Sequence, residues 1–402
     1  MGLLSGMRVV EVSAFVAAPS AGLSLAQMGA EVIRIDDIGG GLDYRRWPVT
    51  DDNVSLFWHG LNKNKRSIGI DIRKPEGQEL ARAIICQQGQ DAGMLLTNFP
   101  AKGWLSYESL CETREDLIQL TIMGNRQGGS AVDYTVNPAI GVPEFTGPEN
   151  TEGPVNSVIP AWDCITGQMA VSGLLAAERH RRLTGKGQHV KLSLEDVAMA
   201  TMGNLGFLAE AEAGVERERS GNYLFGAFGR DFVSADGARF MVVGLTPKQW
   251  SGLCRATDLV ANMSALEQRL GLNFLLEGDR YRARREIASE IEAWASSHPM
   301  KEIEGLFAEH KVCWGPYQSV REMLQNSANC SPENPMFVRQ LQPQVGEILM
   351  AGTPLDFESV ERQQIEPAPR LGEHTDQILS DLLKLNSSEI GHLHDQKIVL
   401  GV

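Results

Sequence analysis

The chain is 402 residues long, 43% hydrophobic and 22% charged, with 41 Gly and 18 Pro, enough for a large core divided over two domains. Its 37 basic and 51 acidic side chains leave a net charge of −14, which excludes a general nucleic-acid or anionic-membrane surface and requires an anionic ligand to find a local basic pocket. Cys86, Cys111, Cys164, Cys254, Cys313 and Cys330 stand without CxxC or finger spacing, and no secretory signal or twenty-residue apolar run occurs, so a cytoplasmic protein with reduced thiols and no structural metal is expected.

Met7–Val12 is a β-branched run, the next eighteen residues carry helical periodicity, and EVIRID reads as a second strand. Strand, helix and strand within about thirty residues form a βαβ unit, which demands a parallel sheet. The intervening turn, SAFVAAPSAG, lacks G-x-G-x-x-G, which argues against a dinucleotide site. Its small residues Ala17, Ala18 and Ala21 fit either close ligand approach or tight helix-on-sheet packing.

GGGLDYRRWP is a loop with two arginines, and KNKRS precedes the strand SIGIDI. Lys63, Lys65, Arg66 and Arg73 together suit a ligand with several phosphates, or equally a solvated charged face. Pro75 opens a helix at its first turn. DAGMLLTNFP is a strand ending in a polar turn, which places Asn98 and Phe99 at a carboxyl end where α/β sheets bind ligands. After the strand DLIQLTIMG comes a Gly-, Pro- and Asn-rich stretch, residues 125–157, of a length that marks function inside a compact domain.

IPAWDCITG sets Asp163 at or just before the N-cap of a helix running from Ile165 to about Leu183, with a small-residue face of Gly167, Ala170, Gly173 and Ala177. Free amides and the positive helix end hold a carboxylate there, as an ordinary cap or as a reactive anion. Cys164 has no local His and reads as a buried, inert thiol. The strand QHVKLSL and an apolar helix follow, and then GNYLFGAFGRDFVSADGARFMVVGL changes character toward a hairpin-bearing second unit. From about Phe228 to Met323 these strands combine with amphipathic helices such as REIASEIEAWASS. The C-terminal stretch returns through a proline-rich segment to a final helix.

The succession RVVEVSAFVAAPSAGLSLAQMGAEVIRID, LNKNKRSIGIDI, TNFP, a lone Asp before TGQMAVSGLLAAERHRRLTGKGQHVKLSLEDV, and the closing LGEHTDQIL resembles the class III CoA-transferases over nearly the whole chain. GGGLDYRRWPVT, VDYTVNPAIGVPEFTGP, VIPAWDCITGQM and GNYLFGAFGRDF are similar to members that move CoA between the two carboxyl groups of one C5 unsaturated dicarboxylic acid. The resemblance implies an α/β fold in which residues 1–225 and 330–402 form a large Rossmann-like, CoA-binding domain and residues 226–329 a smaller α/β domain. It also implies an interlocked homodimer. Asp163 becomes the catalytic nucleophile, with CoA placed against Val16, Ala17, Ile70 to Arg73, Asn98 and Phe99. CoA then belongs to the acyl-CoA substrate and is no tightly bound cofactor, and neither nucleic acid nor membrane is a partner. Two positions depart from the family pattern. NFPAKG lacks the Arg of NFRPG, and Asp37 stands where a basic residue is usual, so phosphate contacts are expected on Lys65, Arg66 or Lys102.

The implied chemistry begins with attack of the carboxylate on a thioester, followed by attack of CoA thiolate on the resulting anhydride. Ile159 and Trp162 supply an apolar wall in this reading. Backbone amides around Gly226 and Gly229 are candidate oxyanion donors, and Arg46 or Arg230 a candidate clamp for the free carboxylate; each also fits as a hairpin glycine or a surface arginine. Intermolecular CoA transfer is the alternative. An α-methylacyl-CoA racemase would pair a His with the Asp, and no histidine lies between His59 and His180. A nucleotide-binding oxidoreductase or a non-catalytic CoA-binding module would come from other classes; the missing fingerprint opposes the first.

Overall fold

The computed structural model describes residues 2–401, which divide into two compact units. One comprises residues 2–140, 157–213 and 328–401, the other residues 141–156 and 214–327. The second unit thus begins at Gly214, earlier than the change of composition near residue 226, and takes in the excursion 141–156 as well.

The first unit is built on strands β1 (Arg8–Val12), β2 (Glu31–Asp36), β3 (Arg66–Ile70), β4 (Met94–Thr97), β5 (Ile118–Met123) and β6 (Gln188–Ser193). They lie in the order β3-β2-β1-β4-β5-β6, all parallel. Since successive side chains point to opposite faces, Val9, Val32, Leu96 and Leu120 feed one core while Val10, Ile33, Ile68 and Leu95 feed another. Both faces are covered, as a parallel sheet requires. Helices Ala17–Gln27 and Ala161–Thr184 close the first face and helices Pro75–Ile85 and Thr375–Leu383 the second.

In the second unit, β7 (Phe228–Val233), β8 (Arg239–Gly244) and β9 (Cys313–Pro316) form an antiparallel sheet. The β7–β8 turn uses Gly237 at φ +85°, the left-handed backbone that the DG signal predicts. Phe228, Phe240, Trp250 and Phe307 fill its core. Arg280, fully buried there, satisfies its guanidinium on the carbonyls of Gly244, Phe274 and Leu245.

Back in the first unit, β10 (Phe337–Gln342) and β11 (Gly346–Ala351) make a hairpin. The expected last helix is followed by another, Ser387–Asp395, and by β12 (Val399–Leu400), which adds antiparallel to β3. The closing LGEHT motif explains that edge: His374 donates its amide to the Ser67 carbonyl at 2.9 Å, and Gly69 donates its own to Thr375 Oγ1 at 3.1 Å. An exposed strand edge is thereby covered. Among the described residues no helix is long and apolar enough to cross a membrane.

Candidate active site

The helix expected from Ile165 begins four residues earlier, at Ala161, and runs to Thr184. Asp163 is therefore the third residue of its first turn, neither the cap nor the residue before it. The cap comes from a distance: Asp133, buried at the start of the helix Asp133–Ala139, accepts the amides of Trp162 and Asp163 on Oδ2 at 2.7 and 3.1 Å. With its capping duty taken over, the Asp163 carboxylate is left half-buried and is not spent on the amides of its own helix. Its carboxyl is pushed up to about 6, by burial first and by the charge of Asp133 second, while Arg46 pulls it down. The helix end by itself would have lowered it; desolvation and a like charge win. At neutral pH the group is still ionised, but more basic and less hydrated than a surface aspartate.

Asp133 is a residue that sequence reading missed. The only signal was the long polar stretch 125–157 in which it sits, and the pairing spans thirty residues. Trp162 is buried, its indole donating to Asn137 Oδ1 at 2.9 Å. Ile159, which precedes the helix, is 63% exposed in this chain and so is no wall here. Cys164, expected to be buried, is exposed. Desolvation and then the charges of Asp163 and Asp133 push its thiol up, which keeps it protonated and inert.

Arg46 and the β1 turn lie beside this carboxylate. The Arg46 guanidinium sits 5.3 Å from the Phe15 ring centre and 5.2 Å from that of Phe57. Among the described residues it has no carboxylate within ion-pair distance, so its planar fork is oriented by two rings and open to a ligand carboxylate. Phe15 holds φ +66°, a left-handed backbone that is rare outside glycine. The turn is fixed by Asn98, whose side-chain oxygen accepts the Ala14 amide at 3.0 Å and whose amide donates to the Ala14 carbonyl at 2.7 Å.

The residues expected to meet CoA fall on one edge. Val16 and Ala17 follow β1, Ile70 ends β3 with Asp71 to Arg73 after it, and Asn98 with Phe99 follow β4. These are carboxyl ends around the point where the strand order reverses, the place where open α/β sheets take their ligands. From β3 to β4 is three strand spacings, about 14 Å, a reach suited to an elongated ligand. The Ile70 side chain is in the core, leaving only its backbone for contact.

The expected phosphate ligands separate. Lys65 is corrected: its Nζ is buried on the Pro19 carbonyl at 2.8 Å, Asn62 Oδ1 at 3.0 Å and Glu11 Oε2 at 2.9 Å. Burial, relieved in part by Glu11, brings its ammonium down to about 8. It closes a buried network with Arg34, Glu11 and Asp36 and cannot reach a phosphate. Arg66 pairs with Glu31 at 2.5 Å. Arg73 is exposed and pairs with Asp71 at 2.8 Å and Asp37 at 3.7 Å. Lys102, just beyond Phe99, is exposed and has no ion pair among the described residues.

Gly226, Gly229 and Arg230 belong to the second unit. Gly226 has φ +76°, as a turn glycine would. Gly229 is not in a turn: it lies within β7 opposite Val243, and its carbonyl accepts the Leu224 amide at 2.9 Å. Arg230 stacks on Tyr223 at 5.3 Å and reaches Glu292 at 3.5 Å, so a partner already meets its charge. Among the described residues no group of three or more His, Cys, Asp or Glu is placed to hold a metal.

Three comparisons bear on this arrangement. The chain is 57% identical to 2-methylfumaryl-CoA isomerase of Chloroflexus aurantiacus, covering 100% of this chain and 98% of that one. It is 30% identical to succinate–glutarate CoA-transferase of Agrobacterium fabrum over 94% of this chain and 95% of the other. A crystal structure of a CAIB/BAIF family protein from Brucella suis superposes with a TM-score of 0.77 at 23% identity, covering 95% of this chain and 99% of that one, which shows the shared fold. The profile of CoA-transferase family III matches residues 4–375, and the chain belongs to that family.

Proposed function

We propose that this protein moves CoA from one carboxyl group of 2-methylfumarate (mesaconate) to the other, through covalent carriage on Asp163. The observation that carries the reading is a half-buried, partly desolvated carboxylate under the charge of an arginine with no carboxylate of its own; the 57% identity to a 2-methylfumaryl-CoA isomerase supports the same substrate.

Asp163 attacks the thioester carbonyl, the C–S bond breaks, and CoA thiolate departs from a mixed anhydride. The thiolate attacks the aspartyl carbonyl, freeing the acid's carboxylate and leaving an aspartyl-CoA thioester. The acid's other carboxylate then attacks that thioester and expels CoA thiolate again. Attack of the thiolate on the newly activated acyl carbon restores Asp163. No proton or electron is gained or lost. Arg46 grips the carboxylate that is not reacting, so the acid stays bound and each later step is effectively unimolecular. CoA lies along the carboxyl edge from Arg73 to Asn98, with Lys102 as its exposed cation. The enzyme in this reading is a cytoplasmic homodimer, in keeping with six free cysteines and with the family resemblance.

Intact-mass and peptide mass spectrometry of the enzyme mixed with 2-methylfumaryl-CoA tests the proposal. CoA attached to the peptide carrying Asp163 is expected, and turnover with no such adduct after rapid quenching defeats it. The 30% identity to a succinate–glutarate CoA-transferase favours intermolecular transfer as the second reading. Labelled free mesaconate entering the product pool during turnover would select that reading instead.

A further inference from the structure

We propose that Asp43 is a positioning residue: it fixes Phe15 and Arg46 with respect to each other and so keeps the arginine within electrostatic reach of Asp163. The inference rests on the reading of Asp163 and Arg46 given above.

Asp43 is 2% exposed and lies in the two-arginine loop. It touches both partners. Its Oδ1 accepts the Phe15 amide at 2.8 Å, and its carbonyl accepts the Arg46 amide at 3.1 Å. Its second carboxylate oxygen is held by Arg34 Nη2 at 3.1 Å, and the same nitrogen reaches the Ser13 carbonyl, also at 3.1 Å. Arg34 is itself fixed by Glu11 at 3.0 Å, Asp36 at 2.7 Å and the Trp58 ring at 4.7 Å. One buried guanidinium therefore holds both the Ser13 carbonyl, just before Phe15, and the carboxylate that accepts the Phe15 amide.

The geometry has a cost that calls for such a tie. A phenylalanine at φ +66° sits in a left-handed backbone less favourable than an ordinary one, and a charge-assisted hydrogen bond of the Asp43 type offsets a cost of that kind. What the strain secures is the direction of the Phe15 ring, which is exposed and forms one of the two faces under the Arg46 guanidinium. The Asp43 carboxylate is engaged by the Phe15 amide and by Arg34, and it acts through Phe15 and Arg46. Asp163 feels Asp133 and Arg46, with Cys164 beside it, so any displacement of Arg46 registers in how Asp163 titrates.

The test is a ¹³C NMR titration of the Asp163 carboxyl in the free, full-length enzyme, assigned by its loss in Asp163→Asn, with kcat measured on the same samples. Asp43→Ala and Phe15→Leu are each expected to raise the Asp163 midpoint by about half a unit and to lower kcat about 10- to 100-fold, as a displacement near 1 Å does. Arg46→Gln is expected to raise the midpoint as well. In Asp43→Ala/Arg46→Gln the midpoint should equal that of Arg46→Gln alone, because the route is already cut. A folded Asp43→Ala with an unmoved midpoint, or shifts that add in the double variant, overturns the proposal. Phe15→Leu carries the same test on a surface side chain if Asp43→Ala does not fold, and an unmoved midpoint there overturns it equally. The titration needs no turnover, so a parent enzyme that forms no Asp163–CoA thioester defeats the reaction assigned above while the coupling of Asp43 to Arg46 is still measured.

Discussion

The Oδ2 of Asp133 accepts the backbone amides of both Trp162 and Asp163, at 2.7 and 3.1 Å, so one carboxylate caps the helix that carries another. The pairing has two effects of opposite kind. It satisfies amides that the helix start would leave bare, and it sets a negative charge near that of Asp163.

Replacing Asp133 separates these effects. Asp133→Asn keeps an oxygen for the amides and removes the charge, so the acid limb of the kcat–pH profile should move below about 6 with little loss of stability. Asp133→Ala also removes the cap and should cost about 1 kcal/mol in chemical denaturation. An acid limb that stays in place in both variants would show that the like charge does not act on Asp163.

Asp163 itself should oppose folding once ionised. Its carboxyl is raised from 3.8 to about 6, so the folded chain holds this proton more tightly than the unfolded chain does. The group's effect on stability is therefore nil below about 3.8, grows as pH rises through that interval, and is complete above about 6. Asp163→Asn, inactive by the mechanism proposed, should be more stable than the parent at pH 7.5 by roughly 1–2 kcal/mol, with the difference closing near pH 3.5. Urea unfolding at the two pH values measures it, and equal stability at pH 7.5 would contradict the assigned desolvation.

The lysines beside the sheet should behave in opposite ways. Lys65→Met removes the ammonium from Glu11 in a buried network and should cost about 3–5 kcal/mol of stability. Lys102→Ala should leave the unfolding midpoint unchanged and weaken binding of CoA, with a reduced salt dependence, by calorimetry. Weaker CoA binding in Lys65→Met at full stability would return that lysine to the phosphate site.

Gly167 offers a test of packing. A Cβ there would lie 2.1 Å from Ser20 Oγ and 2.8 Å from the Ala17 carbonyl, where the two helices meet on the sheet. Gly167→Ala should destabilise by about 1–3 kcal/mol although alanine is the better helix former. A more stable variant in thermal unfolding would mean that the helices can part without loss.

Retention of the acid should depend on Arg46. Arg46→Gln is expected to lower kcat and, among the turnovers that remain, to let labelled free mesaconate exchange into product. Unchanged exclusion of the label would assign retention to other groups.

Local pattern made much of this legible. Apolar runs alternating with helical periodicity required a parallel sheet with both faces covered, because a strand's neighbours in sequence already state which faces must be buried. The same pattern placed Val16, Asn98 and Arg73 at strand ends and Asp163 at a helix start. Helix entry itself was four residues out, since the residue that caps it lies thirty positions upstream. Spacing showed four cations around the third strand but not that Lys65 turns inward to Glu11, fifty-four residues away. It showed Arg46 but not the two rings that orient it, and the final helix but not the short strand that closes the β3 edge after it. Periodicity is a property of neighbours in sequence and fixes which elements form. Which charge is buried, which is capped and which stays open to a ligand follows from partners brought together only when the chain closes, and the tertiary structure alone decides those.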